Sequence, residues 1–454
     1  MLFPPRLTLL PALFACAGLH AAPLAFTPCT DAVLPGSLCA LQTVPLSHGE
    51  QDGAAGELQL FVRKIPSQGK PKGSVWLVAG GPGESGASFY GLLPTLRRSF
   101  PGYDLLIPDH RGTGYSSRLC PAEEAAGSPG GLALAGAEWG SCFAGLNAAP
   151  ERARQFSITQ AAHDLRTLVD NTGGSGPVYL YGVSYGTQLV LRTLQLGPLP
   201  VEGVLLDSLV PPQRDPRWDL SQRSRVVNQV GLQVLADEPA LALYRRVLDR
   251  VALDPALLAA IPGKNLKHFM GSLLDVPAAR ARMLPLLRDL DQGGTTELAS
   301  VRALLAEAAA SLGSYPQSAL SIPLVSIISS SENNLRPALT AADIDREEAG
   351  LLFASPLPRM LLGGGLPTYA ADAGFGELPA AIPPLLVLQG TLDPKTPYAG
   401  AQAQVAALRQ AGAGKVALAS IGQAPHFILW TAPACFEQAA RRFIAGKRAD
   451  DCSL

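Results

Sequence analysis

The most informative part of the sequence is PVYLYGVSYGTQLVLRTLQL, residues 177–196. Residues 177–181 are apolar and strand-prone, the residues from Tyr185 onward carry apolar side chains at helical spacing, and the only G-x-S-x-G of the chain joins the two. A serine on so sharp a turn projects its hydroxyl, and the flanking glycines remove side chains that would block the turn. The start of the helix also favours developing negative charge. We therefore predict that Ser184 is a nucleophile held between a strand and a helix.

Short apolar runs bounded by Gly, Pro or Asp occur on both sides of this stretch, and helical patterns separate them. They cover Glu57–Val62, Ser74–Val78, Tyr103–Ile107, Val201–Leu206, Pro384–Leu388 and Val416–Ile421. Two further helices are expected near the C-terminus, at Gly400–Gln410 and Phe436–Ile444. This alternation predicts an α/β fold with a mostly parallel sheet and crossover helices.

Between residue 212 and about residue 378 the pattern changes to Leu- and Ala-rich helical segments without strand signals. A helical block inserted between two halves of one sheet is most simply a lid over the strand ends, where open α/β sheets bind their ligands. We therefore divide the chain into a signal peptide at 1–22, a first half of the core at 23–211, a lid at 212–378 and a second half of the core at 379–454.

The first residues predict export. Met1–Arg6 carries one positive charge, Leu7–Leu19 is mostly apolar, and the small residues Ala21 and Ala22 follow, which is typical of a secretory signal. A membrane helix is less favoured, because the apolar run is shorter than the roughly 18 to 20 residues of a span and a proline interrupts it. Lipid anchoring at Cys16 is a second, less favoured alternative. We expect a periplasmic or extracellular protein without a transmembrane segment in the mature chain.

The cysteines agree with an oxidising compartment. Beyond the signal, the mature chain holds an even number of them, and neighbours in sequence suggest three local bridges. The expected pairs are Cys29 with Cys39, Cys120 with Cys142, and Cys435 with Cys452. No C-x-x-C pair occurs, and no histidine lies at ligand spacing from these cysteines, so no metal site is predicted.

Charge and composition exclude several classes of partner. The chain of 454 residues has 36 Lys and Arg against 37 Asp and Glu, so its net charge of −1 offers nothing to a nucleic-acid backbone or an anionic membrane. Hydrophobic residues make up 47% of it, which excludes disorder. The glycine-rich turn at 80–83 is not followed by G-K-[ST], so it does not predict a phosphate cradle.

A nucleophilic serine needs a base, and in chains with this strand–turn–helix motif the order is serine, acid, histidine. Four of the six histidines precede Ser184, which leaves His268 and His426. His268 belongs to the helical block, whereas His426 follows the last predicted long strand, in the loop position of a triad base. We predict His426 as the base.

The acid should follow a strand between the serine and the histidine. Asp393 lies a few residues past the strand PLLVL and is preferred, and Asp207, directly after VEGVLL, is the competitor. The oxyanion needs two N–H donors, and we predict those of Gly81, in the turn after the strand at 74–78, and of Tyr185.

Four motifs together resemble the proline iminopeptidase and tripeptidyl aminopeptidase group of α/β-hydrolase serine peptidases, and in particular its secreted tripeptidyl aminopeptidase branch. They are GGPG at 80–83, DHRGTGYS at 109–116, GVSYG at 182–186 and GTLDPKTP at 390–397. The resemblance implies the α/β-hydrolase fold with a helical lid, and acyl transfer from free peptide N-termini without metal or organic cofactor. The chain departs from the family at the base, where Gly-His-Gly is usual and Ala424-Pro425-His426-Phe427 stands here.

Two further sites follow from these segments. Relatives often carry an acidic segment where this lid has SSSENN at 329–334, so the resemblance implies Glu332 as a partner of the substrate ammonium; a helix cap or a solvated loop explains the segment equally well. Asp109 and Arg111, two residues apart in a glycine-rich turn, are expected to form a structural ion pair with no catalytic role.

The sequence therefore predicts an exported serine exopeptidase whose partners are peptides with free N-termini. An esterase or other small-molecule hydrolase is the alternative within catalysis, because the fold does not determine which bond is cut. The alternative without catalysis is a silent binding protein with the same fold. The oligomeric state stays open.

Overall fold

A computed structural model describes residues 23–49, 56–125, 139–173, 176–363, 365–412 and 415–454. The predicted signal peptide at 1–22, with Cys16, lies outside these residues.

One sheet of ten strands runs through the described part of the chain. The strands are β1 (Thr27–Pro28), β2 (Leu38–Pro45), β3 (Glu57–Ile65), β4 (Gly73–Val78), β5 (Tyr103–Pro108), β6 (Val178–Val183), β7 (Gly203–Asp207), β8 (Leu385–Gly390), β9 (Val416–Gly422) and β10 (Cys452–Ser453). Their order is β1-β2-β3-β5-β4-β6-β7-β8-β9-β10. The pairs β1–β2, β2–β3 and β3–β5 are antiparallel, and the others are parallel. The prediction of a mostly parallel sheet is thus confirmed.

The α-helices are α1 (Leu93–Ser99), α2 (Gly140–Ala148), α3 (Pro150–Arg154), α4 (Ile158–Asp170), α5 (Tyr185–Gln195), α6 (Arg223–Val234), α7 (Glu238–Leu253), α8 (Pro255–Ala260), α9 (Leu266–Ser272), α10 (Pro277–Arg280), α11 (Met283–Asp291), α12 (Thr296–Ser311), α13 (Ile322–Glu332), α14 (Ala341–Ala349), α15 (Leu357–Met360), α16 (Tyr398–Gly412), α17 (Ile428–Thr431) and α18 (Pro433–Ile444). Short 3-10 helices lie at Gly86–Leu92, Leu220–Gln222, Pro262–Lys264, Leu273–Asp275 and Leu361–Gly363.

Helices cover both faces of the sheet, and successive side chains of a strand enter different cores. Trp76 and Val78 of β4 join the core that includes α4, α5 and α16, whereas Val75 and Leu77 join the core that includes α1 and α18. All six residues of β4 are buried. Burial on both faces explains why the central strands appear in the sequence as continuous apolar runs.

The chain from Leu220 to Gly363 forms a helical block, in which α6 to α12 share a hydrophobic core of their own, whereas α13 packs into the core of the sheet through Leu324, Ile327 and Ile328. The chain enters this block after β7 and returns to the sheet at β8, which pairs with β7 in register Asp207↔Leu388. No strand occurs between these two among the described residues. The block lies within the predicted lid at 212–378.

Three disulfides join Cys29 to Cys39, Cys120 to Cys142, and Cys435 to Cys452, which are the pairs expected from their order in the sequence. Across the described part of the chain, no helix combines the length and the apolar character that crossing a bilayer requires.

Candidate active site

Ser184 stands at the turn between β6 and α5, near the middle of the sheet. Its backbone has φ 54° and ψ −123°, a conformation that few non-glycine residues adopt. A Cβ on Gly182 would lie 2.6 Å from the Gly186 carbonyl oxygen, and a Cβ on Gly186 would lie 2.4 Å from that of Val78. Both flanking glycines are therefore required, because the backbone passes too close for a side chain.

His426 and Asp393 meet at the carboxyl ends of β8 and β9. The imidazole Nδ1 lies 2.8 Å from Asp393 Oδ2, and both residues are buried. Because Nδ1 is engaged by the carboxylate, Nε2 is the ring nitrogen left for a proton transfer. His426 and Ser184 line the same cavity.

The Asp393 carboxylate accepts four further hydrogen bonds, from the backbone N–H groups of Lys395 and Thr396 and from the side chains of Thr396 and Gln389. Burial alone would raise the pKa of Asp393, but the charge and hydrogen bond of His426 and the two backbone N–H groups outweigh it and lower the pKa below its usual value. The site thus keeps this carboxylate ionised and able to stabilise an imidazolium.

The competing residues have other partners. Asp207 accepts hydrogen bonds from the Tyr181 and Ser208 hydroxyls and from the backbone N–H groups of Ile428 and Leu429. It therefore holds the start of α17, just past His426. His268 lines the cavity, with Nε2 at 3.1 Å from a carboxylate oxygen of Glu348.

The predicted oxyanion donors flank the serine. Gly81 belongs to the loop after β4, and a Cβ added to its neighbour Gly80 would lie 3.1 Å from Ser184 Cβ. Tyr185 is the first residue of α5, so its N–H has no acceptor within the helix. Both residues line the cavity with Ser184.

The cavity has a volume of about 770 Å³ and is enclosed from two sides. The core contributes the loops after β4, β8 and β9, and the helical block contributes residues from α6, α9, α13 and α15. The Ser321 N–H at the start of α13 donates to the Gly83 carbonyl at 3.0 Å, which binds the helical block to the loop carrying Gly81.

The structure does not place Glu332 in this cavity, so its expected contact with a substrate ammonium is wrong. Its carboxylate is buried against Arg192 at 3.0 Å, with Gln213 as a further donor. An ion pair this deeply buried leaves no free charge for a ligand. The sequence could not reveal this pairing, because Arg192 lies 140 residues away.

The expected ion pair between Asp109 and Arg111 is also absent. Arg111 forms its ion pair with Asp164 at 2.6 Å, whereas Asp109 accepts the backbone N–H groups of Gly86 and Tyr115. Both side chains are structural, but Arg111 binds α4 through Asp164, whereas Asp109 holds the backbone at Gly86 and Tyr115.

Two residues of the site were missed by the sequence reasoning. Thr396 donates to Asp393 and lies 3.3 Å from His426 Nδ1, and Glu84 lines the cavity directly after the GGPG turn. Glu84 directly follows the GGPG motif, and Thr396 lies within the GTLDPKTP motif. Their position in or beside these motifs was the sequence signal that could have identified them.

Comparison with known proteins identifies two family models in the chain. Residues 73–255 match the family described as alpha/beta hydrolase fold, and residues 365–451 match the family described as TAP-like protein. The curated relatives include the serine protease Hip1 of Mycobacterium tuberculosis (strain H37Rv) and that of Mycobacterium bovis, each 29% identical over 217 residues. The match covers 43% of this chain and 41% of each relative, so it spans less than half of their length.

Similar solved structures include a bromoperoxidase from Bacillus anthracis, with 14% identity and a TM-score of 0.41 over 89% of this chain and all of that one. A thermophilic esterase from Thermogutta terrifontis has 15% identity and a TM-score of 0.39 over 89% of this chain and 98% of its own. Likeness at this level carries no argument about activity.

Proposed function

We propose that this chain, which adopts the α/β-hydrolase fold, is an exported serine exopeptidase that removes residues from free peptide N-termini through an acyl-enzyme. The observation that carries the proposal is the cavity that Ser184 lines together with His426, whose Nδ1 lies 2.8 Å from Asp393 Oδ2.

The proposed reaction has two halves, formation of the acyl-enzyme and its hydrolysis. Both halves use Ser184, His426 and Asp393. Ser184 Oγ attacks the scissile carbonyl while His426 Nε2 takes its proton, and Asp393 stabilises the imidazolium. The N–H groups of Gly81 and Tyr185 donate hydrogen bonds to the oxyanion of the tetrahedral intermediate. His426 then returns the proton to the leaving amine, and a water molecule, activated in the same way, releases the acyl group.

The helical block supports an exopeptidase over an open-cleft protease. Its helices line one side of the cavity opposite the core loops, and a contact from Ser321 to Gly83 holds them there. A cavity of about 770 Å³ between two walls suits a chain end better than the middle of a folded protein chain. The similarity to serine protease Hip1 supports peptide substrates, and the three disulfides support an oxidising compartment.

A substrate panel tests this function. We expect the purified protein to cleave aminoacyl anilides at least ~100-fold faster than their N-acetyl forms, because acetylation removes the charge that an aminopeptidase recognises. Ser184→Ala and His426→Ala should each lower turnover at least ~1,000-fold, and the double variant should lose little more than either alone.

The same panel separates the alternatives. Equal rates on free and blocked anilides, together with fast hydrolysis of short acyl esters, would favour an esterase. Failure of a serine-directed phosphonate to label Ser184 would favour a catalytically silent binding protein.

A further inference from the structure

Glu84 places an unpartnered carboxylate beside the proposed nucleophile. A Cβ atom added to Gly80 would lie 3.1 Å from Ser184 Cβ and 3.4 Å from Glu84 Oε2. The carboxylate and the serine side chain are therefore close to the same position. Within the described residues, the structure records for Glu84 no hydrogen bond and no ion pair within 4 Å, only the longer-range charges of Lys395 and His426. The carboxylate lines the cavity.

The other acidic side chains that line the cavity have partners. Asp219 accepts the backbone N–H groups of Ser221 and Leu335. Asp275 pairs with the ammonium of Lys395 at 3.4 Å. Glu84 is therefore the carboxylate of the described cavity wall that is left without a bonded donor.

An unpaired carboxylate at this position is unfavourable. Burial raises the pKa of Glu84, and the charges of Lys395 and His426 offset only part of that rise. A negative charge this close to Ser184 would also oppose the oxyanion that forms during acyl transfer. A cation supplied by the substrate removes both penalties.

We propose that Glu84 binds the α-ammonium of the substrate's first residue, so that the enzyme cuts the first peptide bond and releases single amino acids. This inference rests on the proposed exopeptidase function and adds the number of residues released. In an aminoacyl group the ammonium nitrogen and the carbonyl carbon are attached to the same carbon. An ammonium held by Glu84 therefore brings the first carbonyl to Ser184. The ammonium of a tripeptidyl group would lie roughly 7 Å farther from the cut bond.

The test compares wild type, Glu84→Gln and Asp219→Asn on an alanyl anilide, its N-acetyl form and the propionyl anilide that lacks the amino group. Glu84→Gln keeps the shape of the side chain and removes its charge. We expect it to lower the preference for the free amine roughly 10- to 100-fold, mainly through KM, because a charge-assisted hydrogen bond is lost. Asp219→Asn removes another cavity carboxylate, one bonded to backbone N–H groups and not to Lys395, and it should change this preference less than ~3-fold.

Two further measurements distinguish the loss of the ammonium contact from misfolding of the variant. The rate of phosphonate labelling at Ser184 should not fall in Glu84→Gln, because a folded variant has lost only a charge that opposes the oxyanion. Mass spectrometry of wild-type digests of a decapeptide needs no variant, and the first product expected is a single amino acid.

The outcomes distinguish the two proposals. If wild type prefers free N-termini but Glu84→Gln keeps that preference, or if the first products are tripeptides, the role of Glu84 is wrong and the exopeptidase function stands. If wild type does not distinguish free from blocked substrates, both proposals fail.

Discussion

Asp207 and Asp393 are both fully buried carboxylates at the ends of neighbouring strands, and their partners separate their roles. Asp393 contacts the imidazole of His426, whereas Asp207 holds the backbone that follows it, at Ile428 and Leu429. The first arrangement acts on the charge of the histidine, and the second on the position of the loop that carries it.

Substituting each aspartate by asparagine should therefore give different losses. We expect Asp393→Asn to lower kcat roughly 1,000- to 10,000-fold, because the imidazolium loses its counter-charge, and also to lower the free energy of unfolding, because the buried hydrogen bonds that the carboxylate accepts are weakened. Asp207→Asn should keep most of the activity and lower the free energy of unfolding by about 1 to 3 kcal/mol, because buried hydrogen bonds are weakened. Ester turnover and chemical denaturation measure the two effects. Full activity in Asp393→Asn with loss in Asp207→Asn would make Asp207 the triad acid.

Asp109 should make stability depend on pH. Burial raises its pKa to about 6 despite the N–H groups of Tyr115 and Gly86 and the charges of Arg118 and Arg63. The folded protein therefore binds this proton more tightly than the unfolded chain. The resulting stabilisation is fully present below the unfolded pKa and is lost as pH rises through about 6.

Urea unfolding of wild type and Asp109→Asn at pH 4.5 and pH 7.5 measures this contribution. Since asparagine does not titrate, the stability of wild type relative to the variant should fall by about 2 kcal/mol between the two pH values. A difference between the two proteins that does not change with pH would contradict the raised pKa.

The site residues that follow a predicted strand could be predicted from the sequence. Ser184, Asp393 and His426 follow β6, β8 and β9, and the carboxyl ends of parallel strands lie at one edge of the sheet. The partners of Glu332 and Arg111 were not predictable, because they come from distant segments and nothing in the neighbouring residues specifies them.

Among the elements, the strands predicted from apolar runs are those buried in the sheet. Their bounds differ from the prediction by a few residues, as for Glu57–Val62, which extends to Ile65. The sequence reasoning missed β1, β2 and β10. Two of these have only two residues, and β2 mixes polar and apolar side chains because it lies near the antiparallel edge.

The disulfide between Cys435 and Cys452 ties α18 to β10 and should contribute measurably to stability. We expect the double variant Cys435→Ser, Cys452→Ser to lose about 3 kcal/mol in the free energy of unfolding, because the unfolded chain regains the freedom of the closed loop. Chemical denaturation measures the loss, and non-reducing peptide mapping of wild type identifies the bond. A free thiol titrating in the unfolded mature protein, which lacks Cys16, would contradict the three-bridge arrangement.

For the molecule as a whole, the proposed site is assembled from both halves of the chain. Ser184 comes from the segment before the helical block, and Asp393 and His426 come from the segment after it. The pairing of β7 with β8 joins the two halves, although the whole helical block separates them in sequence. The proposed triad therefore exists only after the last part of the chain has joined the sheet.

The two ends of the sheet bear on how the protein behaves in concentrated solution. An open sheet edge offers unpaired N–H and C=O groups to which a strand of another molecule can add, and this is a common start of aggregation. Here each edge ends in a strand of two residues, Thr27–Pro28 on one side and Cys452–Ser453 on the other. Pro28 has no N–H to offer, and the Cys29–Cys39 and Cys435–Cys452 bridges keep both short strands in place. The bridges thus keep one end of β2 and one end of β9 covered, and chemical reduction would open Leu38–Cys39 and Ile421–Gly422 to pairing with other copies.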